Sequence, residues 1–152
     1  MARSIPEITV ASENERSKVL HTILMGFSTD PFVRWICPDA FSYSKFIGAF
    51  DAFGGGAIEN SSAYVCGNFQ GAALWLPPAQ ESDEERFIQE VEANVLPERH
   101  ETLFRILEEM EGYHPHGDCW YLPLIAVDPV YQNQGIGSQS VSYTHLTLPT
   151  SG

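Results

Sequence analysis

Two glycines one residue apart close the segment Gln132-Asn133-Gln134-Gly135-Ile136-Gly137, and Ser138 follows as a natural opening residue for a helix. A glycine-rich turn at a helix N-terminus offers unpaired backbone N–H groups and a positive dipole end to an anion. The chemistry in outline is phosphate binding. A P-loop would need Gly-x-x-x-x-Gly-Lys-Ser/Thr, and no lysine follows here. A dinucleotide fingerprint would need a third glycine where Ser140 stands. Ahead of the turn, Tyr121 to Val127 is an almost unbroken apolar run and predicts a strand buried on both faces. Asp128-Pro129 ends it, because proline lacks the ladder N–H and restricts the residue before it. A pair of glycines can also be a bare strand-to-helix turn. That alternative leaves Gln132 and the Val-Asp-Pro step unexplained.

Other chemistry-bearing residues are fewer. His114, His116 and Asp118 stand close together in a Pro/Gly turn, where a solvated loop is the simpler role, and no further metal ligand is placed by sequence. No metal is assigned. Cys37, Cys66 and Cys119 are widely spaced and odd in number, which suits reduced thiols and a cytoplasmic location. Twenty acidic against eight basic residues argue against nucleic acid as a partner. The same acidic field favours a cationic small substrate. No run approaches the roughly 18 apolar residues of a membrane helix, and Met1-Ala-Arg-Ser-Ile-Pro6 carries no signal-peptide pattern.

The positioning elements follow from periodicity. Glu7 to Ala11 alternates as a first strand, with Ile8 and Val10 on one side. Ser12 and Glu15 form a capping box for a helix whose inner face is Val19, Leu20, Ile23, Leu24 and Phe27. Asp30-Pro31 breaks it. Phe41 to Phe53 recovers a helical pattern, and Gly54-Gly55-Gly56 is expected to end it or loosen it into a flexible joint. Ser62 to Cys66 and Gly71 to Leu76 read as a hairpin around Gly67-Asn68. Glu81 to Glu92 reads as an acidic surface helix with Phe87, Ile88 and Val91 inward. Pro97 starts another, with Leu103, Phe104, Ile106, Leu107 and Met110 as its buried face.

Strand, Val-Asp-Pro, then Gln-x-x-Gly-x-Gly resembles the acetyl-CoA signature of the GNAT acyltransferases. Phe27…Asp30-Pro31, Gly71-Ala-Ala-Leu-Trp-Leu-Pro-Pro78 and His114-Pro…Trp120-Tyr-Leu are similar to the puromycin N-acetyltransferase-like branch. The resemblance implies an α/β fold with a mixed sheet, the GNAT acyl-CoA N-acyltransferase fold, over residues 1–139. It implies that the backbone of Ile125, Ala126 and Val127 pairs with pantetheine. It also implies that Gln132, Asn133, Gln134, Gly135, Ile136, Gly137 and Ser138 hold the pyrophosphate of acetyl-CoA, with a small-molecule amine as acceptor. No catalytic residue is assigned, and the oligomeric state is left open. An acyl-CoA-binding module without catalysis and a purely structural α/β domain stay open as alternatives.

The last residues depart from the family. An amphipathic helix should continue after Gln139, yet residues 140–152 hold no Lys, Arg, Asp or Glu. Val141 to Thr150 resembles a translated sequencing adapter, and Ser140 is among the residues its frame permits. The expectation is a partial domain, 1–139, followed by a non-native tail with an incomplete C-terminal half. Such a fragment would be inactive, because the tyrosine that commonly protonates the CoA thiolate in the family would lie beyond Gln139.

Overall fold

The computed structural model describes residues 7–78, 83–112 and 120–129. Among these residues the sheet has four strands: β1 (Ile8–Val10), β2 (Ala63–Cys66), β3 (Gly71–Leu76) and β4 (Tyr121–Val127). They lie in the order β1-β2-β3-β4, every neighbouring pair antiparallel. The helices are α1 (Arg16–Gly26), α2 (Pro31–Ile36), α3 (Ala40–Lys45), α4 (Ile47–Gly54), α5 (Gly56–Glu59), α6 (Glu84–Asn94) and α7 (His100–Gly112).

The capping box starts the first helix through a 3₁₀ turn at Glu13–Glu15. The Glu15 carboxylate accepts the Ser12 backbone N–H at 3.0 Å and its hydroxyl at 3.2 Å. Val19, Leu20 and Ile23 are then buried, with Leu24 and Phe27 packed at the rim of the core. Asp30 does more than break α1. Its carboxylate accepts the Val33 N–H at 2.9 Å and caps α2, while Pro31 occupies the first turn, where an N–H would have no partner. The 41–53 pattern is two helices meeting at Phe46, with Phe46 and Phe50 in the core.

Several expectations are corrected. Gly54-Gly55-Gly56 is not a loose joint: Gly54 ends α4, Gly56 opens α5, and Gly55 is helical at φ −63° and ψ −20°. The reason is proximity. A Cβ on Gly54 would lie 2.9 Å from Leu124 Cδ1, and one on Gly55 would lie 2.1 Å from Asp51 Oδ1 and 2.8 Å from Arg16 Nη1. Asp51 there bridges Arg16 at 2.6 Å and Arg86 at 2.8 Å, tying α1, α4 and α6 together. On α7 the predicted five-residue inner face reduces to Leu103; Phe104, Ile106 and Leu107 are half-buried and Met110 is exposed. On α6, Val91 is inward as predicted, but Ile88 is exposed. Val10 is also exposed, at the far end of the three-residue edge strand β1.

The hairpin turn is longer than a Gly-Asn dipeptide. Gln70 N–H donates to the Cys66 carbonyl at 2.9 Å across Gly67-Asn68-Phe69. Gly67 at φ 58° uses the left-handed freedom of glycine; Phe69 at φ 59° does so without it. The buried Thr22 hydroxyl, 3.0 Å from the Phe69 carbonyl, holds that residue against α1.

Candidate functional site

β4 is held in place along its length. Its inner edge pairs with β3, placing Ile125 opposite Ala73, Ala126 opposite Ala72 and Val127 opposite Gly71. α1 ends directly on it: a Cβ at Gly26 would fall 2.4 Å from the Ala126 Cβ and 3.1 Å from the Val127 N and O atoms. α4 reaches it through Gly54 and Leu124. Beyond the strand, Asp128 N–H donates to the Gln70 carbonyl at 2.9 Å, so the β2–β3 turn fixes the first residue after β4.

Two features distinguish this strand from the continuous, doubly buried one expected. Among the described residues β4 pairs with β3 alone and stands at the end of the strand order. Leu124 and Ala126 are accordingly buried, while Leu122, Ile125 and Val127 are only half-buried. The register also slips. Leu74 faces Leu124 but Leu76 faces Tyr121, so β4 spends one extra residue in a bulge around Leu122-Pro123. Pro123 falls where a ladder is already interrupted, the place a strand tolerates proline.

Of the residues expected to bind a cofactor, Ile125, Ala126 and Val127 thus lie together on the last strand. Gln132, Asn133, Gln134, Gly135, Ile136, Gly137 and Ser138 lie outside the described residues, as do His114, His116, Asp118 and everything after Gln139. Sequence reasoning passed over two polar groups that the fold leaves unmatched. Among the described residues, Gln70 Oε1 and Trp75 Nε1 are shielded from solvent and find no hydrogen-bond partner. An unmatched buried polar atom costs roughly 1–3 kcal/mol. Neither had a local signal, because both depend on what the fold brings alongside.

The perturbed titratable groups serve structure. Burial pushes the Cys37 and Cys66 thiols up, and burial likewise raises the Tyr43 phenol, whose hydroxyl donates to the Leu24 carbonyl. Backbone and side-chain donation from Ser42 holds the Asp39 carboxylate low at the cap of α3. Three aromatic rings between Phe32 and Phe53 carry the chain's own cations. Arg99 lies 4.1 Å from the Trp35 ring centroid, Lys45 4.2 Å from that of Phe41 and Arg34 4.7 Å from that of Tyr43. Among the described residues no group of three or more His, Cys, Asp or Glu side chains could hold a metal ion. No described helix is long and apolar enough to cross a membrane.

Among solved structures, the chain is similar to that described as histone acetyltransferase HPA2 and related acetyltransferase from Corynebacterium glutamicum. The TM-score is 0.60 and the identity 21%, over 92% of this chain and 70% of that one. The fold is the GNAT acyl-CoA N-acyltransferase fold. No protein-family model and no curated protein matches the chain. The fold therefore agrees with the expectation from the Gln-x-x-Gly-x-Gly stretch.

Proposed function

We propose that this domain is an N-acetyltransferase that takes acetyl-CoA as cosubstrate and a primary amine of a small molecule as acceptor. The observation that carries the reading is positional. In an acyltransferase fold, the last described strand runs straight into Val-Asp-Pro and then Gln-x-x-Gly-x-Gly.

The residues present fit acetyl-CoA. The outer side of Leu124 to Ala126 is a strand edge that a pantetheine arm can follow, since its amides repeat the hydrogen-bonding pattern of a peptide. The N–H groups of the Gly135-Ile136-Gly137 turn would hold the pyrophosphate. Acetyl-CoA supplies the acyl group as a thioester already activated toward an amine. The chain's part is to orient that ligand along β4 and to keep the strand from shifting, which Gly26 and the Asp128–Gln70 bond accomplish. Proton transfer from the attacking amine and to the departing thiolate is assigned to no described residue. The strong net negative charge favours a cationic acceptor through its field.

Calorimetric titration with acetyl-CoA tests the reading. Gly135→Val and Gly137→Val should each weaken binding by tenfold or more, on the order of 1.4 kcal/mol, because a side chain blocks close approach of the pyrophosphate. Undiminished affinity in both variants removes the site. Binding without consumption of acetyl-CoA against a panel of amines would instead make this an acyl-CoA-binding module.

A further inference from the structure

We infer that Thr22 is a positioning residue for the cofactor: through Phe69 it fixes the point at which the backbone leaves β4 toward the expected phosphate-binding turn. The inference rests on the acetyl-CoA reading above. The chain of contacts is short. The buried Thr22 hydroxyl donates to the Phe69 carbonyl at 3.0 Å. The next residue, Gln70, accepts the Asp128 N–H at 2.9 Å on its main-chain carbonyl. Asp128 is the first residue after β4, and Gln132 opens the expected cradle four residues later. A swing at Asp128 is carried over a reach of up to about 14 Å by Gln132.

Phe69 stands at φ 59°, a conformation that a bulky residue rarely adopts. Such residues persist where their surroundings over-determine them, and they gather at functional sites. Three contacts hold this one. Its ring packs against the main core and lies 5.5 Å from Lys18 Nζ, and its carbonyl takes the Thr22 hydroxyl. The same hydroxyl is 3.1 Å from the Lys18 carbonyl, but it has one proton to give. The Lys18 carbonyl already receives the helical N–H of Thr22. The Phe69 carbonyl has no other donor among the described residues, so the proton belongs there. Thr22 itself is firmly held, because it lies one turn before Gly26, where α1 is seated against Ala126 and Val127. α1 therefore governs β4 twice, directly at Gly26 and, through Phe69 and Gln70, at the strand's exit.

The test is Thr22→Val, which keeps the branched shape and deletes the hydroxyl, beside Thr22→Ser, which keeps the hydroxyl. Three readings are taken on the full chain: amide hydrogen exchange, calorimetry with acetyl-CoA, and the ligand-free thermal melt. Thr22→Val should speed exchange of the Asp128 amide about three- to tenfold, the scale of one neutral hydrogen bond, with the amides of Ala72, Ala73 and Leu74 unchanged. Acetyl-CoA binding should weaken by a similar factor, and Thr22→Ser should bring both readings back to within about twofold of wild type. Unchanged exchange at Asp128 in Thr22→Val overturns the inference. So does exchange that rises equally along β3 with a lower melting temperature, which is what a merely structural hydroxyl would give. A faster Asp128 amide with undiminished acetyl-CoA affinity overturns it too, since the anchor would then serve the fold alone. Failure of the wild-type chain to bind acetyl-CoA is a different outcome: it removes the cofactor reading, and the Asp128 amide alone then decides whether Thr22 anchors the exit of β4.

Discussion

α4 and α7 are both rich in apolar residues, yet they meet the rest of the fold in opposite ways. α4 comes down on the sheet through glycine: Gly54 lets Leu124 and Leu74 fill the space where its side chain would be. α7 carries large apolar residues at helical spacing and buries only Leu103 outright, with Met110 55% exposed. Apolar content is higher in α4 as well, five of its eight residues against five of thirteen in α7, and close approach adds to it, because dispersion falls away within a fraction of an ångström of contact. Small residues at a seam contribute by what they let the neighbours do.

The sharpest way to break this comparison is at Gly26, where α1 makes the same kind of contact. Gly26→Val would put Cβ 2.4 Å from the Ala126 Cβ and also against Val127 backbone, neither of which is a flexible side-chain end. A loss of about 3 kcal/mol in urea unfolding is expected, at the upper end of overpacking costs. A loss below about 1 kcal/mol would mean that α1 slides on β4 freely. Next is Gly55→Ala, whose Cβ would collide with Asp51 Oδ1 and Arg16 Nη1. Alanine is the better helix former by about 1 kcal/mol in isolation, so the two effects oppose. Loss of the Arg16–Asp51–Arg86 bridge should win, giving a net loss of about 1 kcal/mol that shrinks in high salt. A net gain would show that the bridge contributes little. The smallest effect belongs to α7: Met110→Ser should shift stability by no more than about 0.5 kcal/mol. A larger loss would place Met110 under cover and remove the contrast.

What could be read from the residues alone divides along the same line. β2, β3 and β4 were legible because each is a short apolar run bounded by turn residues. The first helix was legible from Ser12, Glu15 and a clean inner face. The acyltransferase fold was legible from Val-Asp-Pro and Gln-x-x-Gly-x-Gly. α2 was missed, although Asp30-Pro31 is a sound helix opening, because six residues hold too few turns to show a period. The glycine run at 54–56 was misread because a sequence does not say what stands opposite a missing side chain. Gln70 was invisible for the same reason: its distinction is the company of Asp128, far along the chain.

The pairing of β3 with β4 also bears on the order in which a ribosome could complete the fold. β1, β2 and β3 are in hand once Leu76 has emerged, but the partner strand ends at Val127, about 50 residues later. At bacterial-to-eukaryotic synthesis speeds that is roughly 3–10 s. For that interval β3 presents a complete row of unspent backbone donors and acceptors along Gly71–Leu76. Two helices, α6 and α7, are made in the meantime, and neither is a strand that could take the vacancy. A nascent chain of this topology therefore has a defined window of vulnerability, and a chaperone that shields extended apolar segments would find Gly71-Ala-Ala-Leu-Trp-Leu76 to be its natural client.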